Sequence, residues 1–193
     1  MRAPKVVLSV GDALGVAAVS EINRVCTTFP ASAGSISFAP EAQKEPDIVE
    51  RIRCTSDYVS VEKILSAPGL THIYELLLAT SGQTVCSRPA ADIIEGALKE
   101  NDAMAAKAVD DFATTLARFA GGIGLVCEAR GSVYLWGSML RRMERKLRGN
   151  FFRAACEAKS RNSSWLAQTP VFLIRSEGAI LRGAAVALSR QVH

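Results

Sequence analysis

The sequence predicts an α/β domain built on a mixed sheet, and three observations carry that expectation. The chain opens with short apolar runs separated by tight turns, continues through alanine-rich segments of helical period, and ends by alternating strand, helix, strand and helix. Short strands joined by tight turns pair antiparallel as a meander. Strands separated by helices pair parallel, with a right-handed crossover. A sheet that contains both kinds of connection is mixed.

The elements follow in order. Residues 5–10 form the first apolar run, Gly11-Asp12-Ala13-Leu14-Gly15 turns the chain, and residues 16–19 and 24–29 supply the second and third strands. Beyond Pro40 the period becomes helical: residues 46–54 carry Ile48, Val49 and Ile52 at the spacing of one helix face. Residues 60–70 read as a short helix, a break and a second helix. Ser60 is placed to cap the first turn by accepting a backbone N–H, and Glu62 lies where the helix dipole favours a negative charge. Pro68-Gly69 reads as the stop and restart. Residues 70–79 put Ile73, Leu76 and Leu77 on one face, and residues 91–100 and 102–119 follow as alanine-rich amphipathic helices. Residues 132–138 form a buried-type strand that ends in a glycine turn, residues 170–174 form another, and residues 178–189 close the chain as a helix.

A chain of 193 residues, 49% of them hydrophobic, suffices for one well-buried domain and is short for two. One domain over residues 1–193 is therefore expected, with no linker and no internal repeat. The longest apolar candidates, residues 6–19 and 112–126, are broken by glycine or charge and are too short to span a bilayer. The basic opening Met1-Arg2-Ala3-Pro4-Lys5 is not followed by a cleavage pattern, so no membrane and a cytoplasmic location are expected. Cys26, Cys54, Cys86, Cys127 and Cys156 never stand as C-x-x-C, and only His72 and His193 could join them. That pattern argues against a zinc site and for buried, reduced thiols. The net charge of +4 gathers in Arg141-Arg142-Met143-Glu144-Arg145-Lys146-Leu147-Arg148, without interleaved aromatics. It reads as a solvated helix face, and no nucleic-acid partner is expected.

Five stretches carry a resemblance. Gly11-Asp12-Ala13-Leu14-Gly15-Val16 resembles a G-T-G-L-G-V phosphate loop, and residues 29–40 resemble L-P-G-E-G-G-H-V-D-F-A-P. Residues 58–70 resemble H-V-S-x-E-R-x-L-S-G-P-G-L, residues 130–139 resemble F-G-G-V-[FY]-[IL]-[AG]-G-G-I, and residues 151–161 resemble F-R-A-x-F-x-x-K-G-R. In register along nearly the whole chain, they resemble the bacterial-type glucokinases, a branch of the actin-like, ribonuclease-H-like sugar kinases. The resemblance implies the ribonuclease-H-like C-terminal lobe of such an enzyme. It implies the family reaction, transfer of the ATP γ-phosphoryl group to the glucose 6-hydroxyl with Mg2+ assisting. It places Glu62 on sugar hydroxyls, Ser32 and Ser35 beside it, and Gly11, Asp12, Gly15, Gly137 and Ser138 on the nucleotide side. The partners implied are glucose or a related hexose, and a homodimer or a separately encoded N-terminal lobe.

The chain also departs from the pattern. Asp12 stands for a threonine, and a carboxylate repels phosphate oxygens unless a metal ion intervenes. Ala13 stands for a glycine, Ser32 for a glutamate, Ser35 for a histidine and Ser138 for a glycine. Serine can hydrogen-bond a hydroxyl, but at shorter reach and without charge. Trp136 stands for a small residue and is read mainly as filling the space of the adenine, with stacking on it as the other option. The family's D-x-G-G-T-N loop and the Asn-Asp pair that carries its general base are expected before Met1, and neither is read within the sequence. No catalytic residue is therefore assigned. The chain alone is expected to be inactive or very weak; the other reading is a non-catalytic relic that binds sugar or contacts a subunit.

Overall fold

In β1 (Lys5–Val10) every second side chain is buried, because KVVLSV places Val6, Leu8 and Val10 on one face of an extended chain. The computed structural model, which describes residues 3–22, 25–40, 45–54, 56–99 and 101–191, pairs β1 antiparallel with β2 (Leu14–Ile22). β2 pairs in turn with β3 (Val25–Ala31). Both strands run longer or later than their apolar runs, because Leu14 and Val16 continue the buried face of β1 across the ladder, Leu14 opposite Val10 and Val16 opposite Leu8. Arg24, expected to open the third strand, lies outside the described residues. β1 is parallel to β4 (Ser132–Trp136), which is parallel to β5 (Val171–Leu173). The sheet is five-stranded in the order β3-β2-β1-β4-β5, mixed as the sequence predicts.

The helices between β3 and β4 are α1 (Glu45–Arg53), α2 (Ala67–Thr80), α3 (Ala90–Leu98) and α4 (Ala103–Val126). α4 supplies the centre of the core: Phe112, Ala113, Leu116, Ala117 and Ala120 are fully buried in one cluster with Val6, Leu8 and Val10. Beyond β4 come α5 (Ser138–Arg142), α6 (Glu144–Leu147), α7 (Asn150–Glu157), α8 (Ser163–Ala167) and, after β5, α9 (Ala179–Gln191).

Several local expectations are corrected. Pro68 and Gly69 do not break a helix: they lie in the first turn of α2, whose cap is Ser66, with its Oγ accepting from Gly69 N at 3.2 Å. Proline is tolerated there because the first-turn N–H groups have no intrahelical partner. Ser60 makes no side-chain cap; it precedes the 3-10 turn Val61–Lys63, is buried, and bridges to Ser37. The buried face of α2 is Leu70, Ile73, Tyr74 and Leu78, leaving Leu76 and Leu77 partly covered. The basic run is two short helices that part at the buried Met143, and three of its cations are paired. Arg141 meets Glu177 at 3.0 Å, Lys146 meets Asp110 at 2.7 Å and Arg148 meets Glu144 at 2.7 Å. No disulfide joins the five cysteines, but only Cys156 is buried; Cys26, Cys54 and Cys86 are exposed. They lie on an edge strand, a helix end and a loop, where cysteine has no core to enter.

Candidate functional site

The parallel pairing of β1 with β4 sends both carboxyl ends to one edge of the sheet, where α/β proteins hold ligands. The turn after β1 is tight, with Gly11 N donating to Ala13 O at 3.1 Å. The Gly11 carbonyl accepts from Ala67 N at 2.8 Å, which fixes this turn to the start of α2. The turn after β4 is pressed against the end of β1. A Cβ on Gly137 would lie 2.0 Å from the Val10 carbonyl oxygen, and Gly137 has φ +147, a region open to glycine. Gly11 has no such constraint, since nothing lies within 4 Å of where its Cβ would stand. Glycine at 137 is demanded by packing. Glycine at 11 leaves free space beside a turn whose own N–H and carbonyl are already bonded.

Two more turns meet this edge. The 3-10 turn Ala33–Ser35 follows β3, and Gly34 packs on Leu14: a Cβ there would lie 2.3 Å from the Leu14 carbonyl oxygen. The turn Val61–Lys63 is bound to the same loop, Val61 N donating to Ile36 O at 3.0 Å and Phe38 N to Val59 O at 2.9 Å. The site residues named from the sequence therefore fall on or directly beside turns clustered at one end of the sheet. Glu62 is half-buried, and no described residue pairs with its carboxylate. Ser32 and Ser35 are exposed, as are Asp12 at the tip of its turn, Gly15, and Ser138 at the start of α5.

Tyr58 was not singled out in the sequence. Its Oη donates to the Ser35 carbonyl at 2.5 Å, and Ser37 Oγ donates to that Oη at 3.4 Å. Lys63 Nζ donates to the Tyr58 carbonyl at 2.5 Å and also to Ser56 Oγ, which itself donates to the Tyr58 carbonyl at 3.1 Å. Trp136 is half-buried, and its Nε1 donates to the Ser176 carbonyl at 3.3 Å. Its indole is engaged by this chain's own segment between β5 and α9.

An Asn-Asp pair does occur, at Asn101-Asp102, contrary to the sequence reading. Asp102 Oδ1 caps α4 by accepting from Ala105 N at 2.9 Å, and its Oδ2 accepts from Tyr74 Oη at 3.0 Å and Arg88 at 2.9 Å. Burial opposes ionisation of Asp102, but the bonds from Ala105 and Tyr74 and the Arg88 charge prevail and hold its carboxyl below the usual range. That aspartate is committed to the fold. His72, on α2, is half-buried with Nδ1 unpaired. Among the described residues no group of three or more His, Cys, Asp or Glu is placed to hold a metal ion, and no helix is long and apolar enough to cross a membrane.

Sheet order, helices and the turns at the strand ends together define a lobe of the actin-like sugar-kinase class. The comparisons with known proteins give the family. The Glucokinase family model matches residues 1–191. The glucokinase of Cronobacter sakazakii is 30% identical over 185 residues, covering 96% of this chain and 58% of that protein. The crystal structure of a glucokinase from an Antarctic psychrotroph superposes with a TM-score of 0.88 at 25% identity, over 98% of this chain and 59% of the other. A glucokinase from Balamuthia mandrillaris in complex with glucose shares the fold, with a TM-score of 0.77 at 20% identity over 89% of this chain and 50% of the other. The chain belongs to the glucokinase family, and it spans 58% of the length of the Cronobacter relative.

Proposed function

We propose that this chain carries one side of a hexose and ATP site of the glucokinase type, with Glu62 holding sugar hydroxyls. The observation that carries this reading is Glu62 itself: a half-buried carboxylate with no partner among the described residues. A carboxylate held out of full solvent without a partner is poised for charge-assisted hydrogen bonds, which sugar hydroxyls supply. Ser32 and Ser35 offer neutral hydroxyls beside it. The space left free beside Gly11 gives a phosphate room to approach, with Gly15, Gly137 and Ser138 completing the nucleotide side. Asp12 suits a phosphate only through a divalent cation, the role Mg2+ has in the family reaction.

The chain by itself is proposed to be inactive or nearly so. Phosphoryl transfer depends on positioning and charge stabilisation from both sides of the phosphate. The D-x-G-G-T-N pattern is absent from these residues, and the Asn101-Asp102 aspartate is tied up at the start of α4. Partnership with a complementary lobe, or with a second copy, belongs to the same proposal. A sugar-binding or subunit-contact module without catalysis is the second reading, favoured by Asp12 and by the two serines at the family's glutamate and histidine positions. The test is glucose 6-phosphate formation by the purified chain with glucose and MgATP. No product above background is expected. Turnover at about 1 s−1 or faster, the range of ordinary enzymes, contradicts the proposal.

A further inference from the structure

The turn that carries Ser32 and Ser35 and the turn that carries Glu62 are joined by a side-chain strap through Tyr58. One arm is Tyr58 Oη on the Ser35 carbonyl at 2.5 Å, a contact between residues 23 positions apart. The other arm is Lys63 Nζ on the Tyr58 carbonyl at 2.5 Å, reinforced by Ser56. Lys63 follows Glu62 directly in the chain. Beside the backbone bonds from Val61 and Phe38 that already join the two segments, Tyr58 thus links the Ser35 carbonyl to the residue next to Glu62.

Tyr58 is 48% exposed, so burial does not account for an aromatic ring at this position. The ring gives reach: it carries a hydroxyl from one turn to a carbonyl on the other. Gly34, Ile36 and Phe38 fix the far side of this loop, but Ser32 and Ser35 are short and exposed and the cap residue Ser32 makes no side-chain bond, so the Tyr58 hydroxyl is what holds the Ser35 carbonyl. A hexose recognised from two turns at once requires a fixed spacing between Glu62 and the serine hydroxyls, and misplacement of such groups costs binding directly.

We propose that Tyr58 is a positioning residue that pins the Ser35 turn to the Glu62 turn and so sets the spacing of the sugar-binding groups. This inference rests on the hexose-site reading given above. The test compares the purified chain with Tyr58→Phe, which removes only the hydroxyl, and with Lys63→Met, which releases the second arm.

Amide hydrogen exchange reads the strap without any ligand. Tyr58→Phe is expected to speed exchange several-fold in residues 32–38 while β1, β4 and α4 keep their rates and the thermal midpoint stays put. Lys63→Met is expected to loosen residues 56–63 in the same local way. Calorimetric titration with glucose reads the consequence: an affinity about tenfold weaker for Tyr58→Phe, equal to about 1.4 kcal/mol. Unchanged exchange in residues 32–38 overturns the proposal. So does a uniform rise across the chain with a lower midpoint, which marks a merely structural role. Local loosening with unaltered glucose affinity overturns the positioning role. If the unaltered chain binds no hexose, the hexose reading fails and the positioning role with it, while the exchange result still decides whether the strap exists.

Discussion

Gly137 and Gly11 stand in two different settings, one packed and one open, and substitution separates them. Gly137→Ala forces a Cβ to within 2.0 Å of the Val10 carbonyl oxygen at φ +147, so it should destabilise the chain by about 3 kcal/mol or more. Gly11→Ala meets nothing within 4 Å and should leave the thermal midpoint nearly unchanged while weakening ATP binding by titration. Equal losses of stability from the two substitutions would contradict this division. Glu62→Gln keeps the shape and removes the charge. Hydrogen bonds to charged groups contribute roughly 1.5–3 kcal/mol, so hexose affinity should fall about 10- to 100-fold. The position of Glu62 was legible in its motif. Tyr58 was not, since its partner carbonyl stands 23 residues away and an exposed loop tyrosine leaves no periodic trace.

Among the elements, the starts of α2 and α4 carry the local chemistry. Ser66→Ala removes the cap of α2 and should cost about 1 kcal/mol, read as a shift in the urea midpoint. Asp102 adds a pH dependence to α4. Its folded pKa lies below the usual carboxylate value of about 4, so its contribution is complete above about pH 5 and lost as pH falls through the lowered folded value. Asp102→Asn should therefore lower stability at neutral pH and flatten the loss on acidification. Urea melts at pH 7 and pH 3 check the sign; a variant that loses as much on acidification as the unaltered chain contradicts it. The existence of these helices was legible from their apolar spacing, whereas their ends were not. Gly121, Gly122 and Gly124 lower helix propensity by about 1 kcal/mol each relative to alanine. Yet α4 runs to Val126, because Gly121 lets it approach the Cys156 carbonyl of α7 and Gly124 meets Val133 and Leu166. Tertiary packing decided that end, and no local pattern encodes it. Likewise Ser-Ala-Pro-Gly was equally compatible with a break and with the first turn of a helix.

Across the whole molecule, α4 and its neighbours bury the Val6, Leu8 and Val10 face of the sheet, and apolar surface remains exposed elsewhere. Phe172 is 49% exposed and stacks on Tyr134 with ring centroids 5.5 Å apart, while α9 exposes Ile180, Leu181, Val186 and Leu188 at 49–76%. Surface of this kind favours association. The isolated chain should self-associate in sedimentation at high micromolar concentration, and Leu181→Lys combined with Leu188→Lys should reduce it. A monodisperse monomer without these changes contradicts that expectation. The mixed sheet was legible because each connection has its own signature in the sequence, tight turns for antiparallel pairing and helices for parallel pairing. The exposed α9 was not, because an amphipathic stripe says that a face needs cover without saying what covers it.

The central claim, a hexose site built around Glu62, is tested most directly by isothermal titration of the folded chain with glucose beside Glu62→Ala. The account predicts saturable binding that the substitution abolishes. Absence of binding in a folded sample, or equal binding by the variant, contradicts it.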